Sequence, residues 1–177
     1  MADRIKKRPD ARFDPTPPHV VEEMLWQGGV TERDVVYDLG CGDGRVVIAA
    51  ARLGARGVGV DMNPRRLEAC RENAGRARVT DRVRFIEADL FEVDVRKATV
   101  VMLYLLPELN VRLRPSLLWQ LAPGSRIVSH SHDMGEWQPD RVAKVGRSFI
   151  YAWEVTPEAR QRYGGRPPEE IRPAAES

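Results

Sequence analysis

Val35-Val36-Tyr37-Asp38-Leu39-Gly40-Cys41-Gly42-Asp43-Gly44-Arg45 is the stretch on which the fold turns. A β-branched run closed by a glycine cluster reads as a buried strand followed by a tight loop. Alternate glycines let the backbone turn sharply and let a ligand approach main-chain N–H groups. Arg45 to Leu53 then carries Val46, Val47, Ala50 and Ala51 on one face, as a helix does. Gly57-Val58-Gly59-Val60 is the next strand, and Asp61 ends it, 21 residues after Gly40. An acid at that point can accept hydrogen bonds from both hydroxyls of a ribose. Strand, glycine loop, helix, strand and carboxylate at this spacing form a nucleoside-binding constellation. The plainer alternative is a glycine-rich turn in a non-binding flavodoxin-like sheet.

The alternation continues outward. Pro64 suits the first turn of a helix, which Leu67, Ala69, Cys70 and Ala74 carry to about Arg78. Val83-Arg84-Phe85-Ile86 is a third strand. Ala98 to Leu106 is apolar except for Thr99, as expected of a central strand covered on both faces. Pro107 to Leu121 is helical, and Pro115 predicts a break and restart. Arg126–His130 is a fifth strand. Arg141–Val145 and Ser148–Val155 flank Gly146-Arg147 as a hairpin. The predicted fold class is α/β: a Rossmann-like doubly wound seven-stranded sheet, mostly parallel, with one antiparallel strand from the C-terminal hairpin.

At 177 residues the chain has the length of one domain. Its two cysteines, Cys41 and Cys70, are too few for a disulfide framework or a four-ligand zinc site. No apolar run reaches the roughly 18 residues of a membrane span, and Met1–Arg12 has no apolar signal-peptide core. These features predict a cytoplasmic protein, monomer or homodimer. The net charge of +2 falls short of the footprint of a dedicated nucleic-acid binder. Residues 1–12 read as a polar, basic tail and residues 13–155 as the folded domain, with 13–30 as an N-terminal lid and helix. Residues 156–177 carry four prolines, two glycines and many charges, which predicts a mobile tail.

The loop chemistry narrows the ligand. The dinucleotide fingerprint needs a glycine where Arg45 stands, and no phosphate-binding G-x-x-x-x-G-K-[ST] run is present. Asp38 and Asp43 would repel a pyrophosphate. They would favour an α-amino group and a sulfonium, which S-adenosylmethionine (SAM) carries. The candidate cofactor residues in this part of the chain are Asp38, Gly40, Cys41, Gly42, Gly44 and Asp61. Met62 can stack its thioether on adenine, or is plain loop. Asp89 can accept from the adenine amine with Leu90 against the ring, or is a surface turn residue. The fourth strand ends in Leu103-Tyr104-Leu105-Leu106-Pro107, without the Asn/Asp-Pro-Pro-Tyr box of base-modifying enzymes. An apolar tip with one phenol suits a narrow channel around an aliphatic chain. His130 and His132 share a face of their strand. Without an obvious third ligand they predict a structural or substrate-lining role and no metal site.

Several segments together closely resemble the archaeal broad-specificity protein lysine methyltransferases and the related mitochondrial lysine methyltransferases. They are Phe13-Asp14-Pro15-Thr16-Pro17, the Tyr37–Arg45 loop, Phe91-Glu92-Val93-Asp94, Leu113-Arg114-Pro115, Pro123-Gly124-Ser125-Arg126-Ile127-Val128-Ser129-His130 and Trp137-Gln138-Pro139. The resemblance covers about residues 13–155. It implies a seven-strand SAM-dependent methyltransferase acting on lysine side chains of proteins. In such enzymes the tip of the fourth strand faces the methyl group, which makes Tyr104, Leu105 and Pro107 the candidate catalytic residues. The Phe13–Pro17 segment is expected to lie over the cofactor, adding Pro15 and Thr16 to the cofactor set. Phe13, Glu108, Asn110, His130 and Asp133 are candidate acceptor contacts.

Methyl transfer is an in-line displacement, so positioning and desolvation supply most of the catalysis. With so little chain outside the sheet, the acceptor site is expected to be open, which suits a macromolecular substrate. The competing readings are a small-molecule N- or O-methyltransferase and a non-catalytic SAM-binding module. RNA methylation is weaker, given the missing Pro-Pro box and the modest charge.

Overall fold

The computed structural model describes residues 14–166. Helix α1 (Pro18–Gln27) precedes β1 (Val35–Leu39), α2 (Arg45–Arg52), β2 (Arg56–Asp61), α3 (Pro64–Ala77) and β3 (Val83–Glu87). The chain continues through β4 (Val100–Leu103), α4 (Pro107–Gln120), β5 (Arg126–His130), β6 (Arg141–Val145), β7 (Ser148–Glu154) and α5 (Pro157–Tyr163). The strands form one seven-stranded sheet in the order β3-β2-β1-β4-β5-β7-β6. Strands β1 to β5 pair in parallel, and β7 runs antiparallel to both β5 and β6. This is the predicted architecture. The strand order reverses between β1 and β4, the crevice where a doubly wound sheet binds its ligand.

Two apolar layers flank the sheet. On one face, Val20, Val21, Met24 and Leu25 of α1 pack with Val46 and Ala50 of α2 against Val36, Val100, Met102 and Val128. On the other, Leu113, Leu117 and Leu118 of α4 pack with Leu39, Val101, Leu103 and Ile127. Glycine is required at Gly59, where a Cβ would stand 2.8 Å from both Cys41 Sγ and Phe85 Cδ1. That close approach brings β2 and β3 beneath the glycine loop.

Three expectations need correction. Helix α4 runs unbroken through Pro115. Leu113, Leu117 and Leu118 bury themselves on both sides of the proline, and that burial outweighs the roughly 3 kcal/mol of a mid-helix proline. Strand β4 is shorter than the apolar run around it: pairing stops at Leu103, opposite Leu39 and Ser129, and Tyr104 to Leu106 leave the sheet toward the crevice.

The third correction concerns the expected mobile tail, which forms α5 over residues 157–163. Thr156 caps α5 by accepting from Ala159 N at 3.1 Å. Arg160 donates to the carbonyls of Leu118 and Leu121, each at 2.7 Å. Those are carbonyls at the C-terminal end of α4, which a cation and its N–H donors satisfy. Residues 1–13 and 167–177, including Phe13, lie outside the described residues.

Candidate active site

A cavity of about 490 Å³ opens at the carboxyl ends of β1, β2 and β4, within the size range of small-molecule sites. Pro15, Thr16, Asp38, Gly40, Cys41, Gly42, Asp61, Met62, Leu90, Tyr104 and Leu105 all line it. These come from separate stretches of chain that the sheet order brings to one crevice.

The floor is the glycine loop. Gly40 has φ 89°, a left-handed conformation open to glycine. Asp61 ties the loop to β2: its Oδ2 accepts from Gly42 N at 3.2 Å, and its Oδ1 from Asn63 N at 2.9 Å. Arg66 NH1 lies 3.6 Å from the same carboxylate. Gly44 does not line the cavity. It is the N-cap of α2 at φ 82°, and a Cβ there would crowd Cys70 Sγ and Phe85 Cε1 at 3.1 Å. The close-packing glycine is therefore Gly44, one residue earlier than in a dinucleotide fingerprint.

Charge is distributed unevenly among the acids. Burial would raise the Asp43 carboxyl, but bonds from Arg45 hold it below its ordinary value. Arg45 Nε and NH2 reach it at 2.9 and 2.6 Å. Asp43 is thus already paired with a cation, and its part in the expected attraction for a ligand cation falls to Asp38. Burial, reinforced by the nearby charges of Asp61 and Asp43, pushes the Asp38 carboxyl up to about 7. No ion pair involving Asp38 occurs among the described residues. A buried acid without a cation, beside a cavity, fits a ligand that brings its own positive charge. SAM does so, and the cavity volume accommodates it.

The far wall is apolar. Leu103, Leu105, Leu106 and Leu109 line it with Tyr104 and His132. The N-terminal segment crosses the opening and is held at three points. Tyr104 OH donates to Asp14 Oδ2 at 3.2 Å, Arg45 NH1 donates to Thr16 O at 2.8 Å, and Thr16 Oγ1 lies 3.4 Å from His130 Nδ1.

Other sequence candidates lie elsewhere. Asp89 Oδ1 accepts from Phe91 N at 3.0 Å, as in a turn, and the side chain is not on the cavity wall. Pro107 and Glu108 are exposed on the first turn of α4. Asn110 is fully buried; its Nδ2 donates to Ser129 Oγ and to the carbonyls of His132 and Asp133. It fastens α4 to the loop after β5 and does not line the cavity. His130 sits behind the wall, its ring centroid 4.0 Å from that of Tyr104 and its Nε2 2.9 Å from Ser148 Oγ. Burial, then the neighbouring His132, lowers its pKa, while Asp14 opposes the shift. Asp133 is exposed and accepts from Gly135 N at 3.0 Å. No group of three or more His, Cys, Asp or Glu able to hold a metal occurs among the described residues.

Residues missed as site candidates include Asp14, Arg45, Arg66 and Leu106, whereas His132, read as structural or substrate-lining, does line the cavity. Arg45 was legible as the cation two residues from Asp43. Asp14 was not, because its partner Tyr104 lies 90 residues away.

Residues 38–141 match the ANTKMT methyltransferase domain. The chain belongs to that family. It is 42% identical over 139 residues to a protein-lysine N-methyltransferase of Saccharolobus islandicus, covering 77% of this chain and 86% of the relative. It is 34% identical over 121 residues to the adenine nucleotide translocase lysine N-methyltransferase of Mus musculus, covering 68% and 53%. The chain thus spans about half the length of that mouse relative. Among solved structures, an RNA methyltransferase from Salinibacter ruber in complex with S-adenosyl-L-homocysteine superposes with a TM-score of 0.79 at 52% identity, covering 80% and 94%. This ANTKMT-family protein is a SAM-dependent methyltransferase. No helix among its described residues is long and apolar enough to cross a membrane.

Proposed function

We propose that the enzyme transfers methyl groups to lysine ε-amines of protein substrates. One observation carries the acceptor class: the wall beyond the glycine loop is made mostly of leucines, Leu103, Leu105, Leu106 and Leu109, with Tyr104 and His132 as its polar aromatic groups. Such a wall matches the butyl arm of lysine and offers few groups to grip a planar base. The lysine methyltransferase of Saccharolobus islandicus supports the reading.

Bound in the cavity, SAM supplies an electrophilic methyl on a sulfonium. The protein's part is to bind, orient and dry the site. Asp38 and Asp61 would hold its cationic and ribose ends, with Met62 and Leu90 beside the adenine. The leucines desolvate the incoming amine, whose ordinary pKa of about 10.4 must fall before nitrogen can attack. Tyr104 lines the same wall and would border the incoming amine. The short N-terminal segment is the only cap among the described residues, and it leaves room for a macromolecule. We place the enzyme in the cytoplasm.

The relative from Salinibacter ruber favours a second reading, RNA as acceptor. Incubating the enzyme and labelled SAM with a lysate, then separating protein, RNA and small molecules, tests both. The lysine reading predicts label in protein, recovered as methyl-lysine after hydrolysis. Label confined to RNA or to a metabolite refutes it.

A further inference from the structure

We propose that Asp14 and Tyr104 together form the subsite that receives the ammonium of the incoming lysine; this rests on the lysine reading. The cavity has carboxylates at both ends. Asp38, Asp43 and Asp61 lie at the glycine-loop end, on or next to β1 and β2. Asp14 lies at the other end, brought there by the N-terminal segment, and its Oδ2 accepts from Tyr104 OH at 3.2 Å. It is exposed, so it meets an acceptor arriving from solvent.

The pair is well placed for a cation. The Tyr104 ring lies 4.0 Å from His130 and 6.5 Å from His132, centroid to centroid, and with His132 it makes an aromatic border beside the carboxylate. Aromatic faces next to a carboxylate attract alkylammonium ions. Asp14 is also held in register. Two residues on, Thr16 is fixed through its carbonyl to Arg45 and through its hydroxyl to His130. The cations that line the cavity are matched at its opposite end, Arg45 by Asp43 and Arg66 by Asp61. The negative charge of Asp14 reaches the wall: after burial, it is the next influence raising the Tyr104 phenol.

This placement solves a problem of lysine chemistry. The amine arrives as a cation, yet the leucine wall admits it only when neutral. A carboxylate and a phenol at the threshold collect the ammonium. Beside Asp14 the charged form is favoured, so the proton goes to water only as the nitrogen leaves the carboxylate for the leucine wall, and the neutral amine, with its lone pair free, then enters the apolar part of the cavity. The subsite also discriminates: it favours amines over alcohols and repels phosphate.

The test is steady-state kinetics of the full chain with labelled SAM and a peptide carrying one lysine, comparing wild type, Asp14→Asn and Asp14→Glu. The proposal predicts that Asp14→Asn raises the peptide KM by about 10-fold or more. The same change should leave kcat within about 3-fold and SAM affinity within about 2-fold. Asp14→Glu should recover most of the loss. n-Butylammonium should compete with the peptide in wild type and bind about 10-fold more weakly to Asp14→Asn. An unchanged peptide KM and unchanged inhibition would overturn the proposal. So would a parallel loss of SAM affinity, which would mean that Asp14 only holds the N-terminal segment. If wild type labels RNA or a metabolite and no lysine, the acceptor reading itself fails and the subsite falls with it.

Discussion

Asp34 immediately precedes β1 and Asp38 lies near its end, four residues on, and their environments could hardly differ more. Asp34 is buried at the amino end of the sheet and fully engaged. It accepts from Thr31 N at 2.8 Å, Thr99 Oγ1 at 2.7 Å and Arg126 NH2 at 2.9 Å. Burial would raise its pKa, but those bonds, that from Thr99 first, hold it below the ordinary value. Asp38 is equally buried at the carboxyl end, faces other acids and is pushed up to about 7. The first acid joins α1, β1, β4 and β5 into one end of the fold. The second is left without a counter-charge at the end where the ligand binds. On the proposed reading, the same residue type serves stability just before the strand and cofactor binding near its end.

The largest effect that could break this contrast is at Asp38. Asp38→Asn should weaken SAM binding by about 3 kcal/mol, roughly 100-fold, measured by calorimetry. The same change should stabilise the ligand-free protein at pH 8, since an uncompensated buried charge is removed. A melting temperature higher by about 5 °C is expected. Asp34→Ala should do the reverse. Loss of about 3 kcal/mol, or about 10 °C, is expected from orphaning Arg126 and Thr99, with SAM affinity altered less than about 3-fold.

A subtler separation comes from pH. Asp38 is protonated in the folded protein over a range where the unfolded chain has already lost that proton. Its contribution to stability is therefore present at low pH and falls as pH rises from about 4 to about 7. Asp34 contributes in the opposite sense: its stabilisation is present at neutral pH and is lost as pH falls below its ordinary carboxylate value. Melting curves of the ligand-free protein from about pH 5 to 8 should decline more steeply for wild type than for Asp38→Asn, and saturating SAM should remove the difference.

The smallest predicted effect concerns Asn110. Asn110→Ala should cost about 1–2 kcal/mol of stability by leaving the carbonyls after β5 unpaired, while the acceptor KM stays unchanged. A raised KM at full stability would return Asn110 to the acceptor site.

The same contrast marks what a sequence can disclose. The glycine loop, Asp38 and Asp61 were legible because spacing along two short strands places them. The doubly wound, mostly parallel sheet followed from the alternation of strands and helices. Asp34 drew no attention, because two of its three partner residues, Thr99 and Arg126, lie 65 and 92 residues away. The tie between Tyr104 and Asp14 spans 90 residues, and that between His130 and Thr16 spans 114. Only the folded sheet brings such pairs together. The run through Pro115 and the formation of α5 were misread for a related reason. Local propensity argued against both, and contacts between α4, α5 and the core overruled it.

The account depends most on Asp38 being a proton-bearing acid that SAM converts to its charged form. Calorimetric titration of SAM at pH 7, in two buffers with unlike ionisation enthalpies, measures that directly. Wild type should release roughly half a proton more per SAM bound than Asp38→Asn. Equal proton release by the two proteins would contradict the claim that this acid is held unpaired for the cofactor's cation.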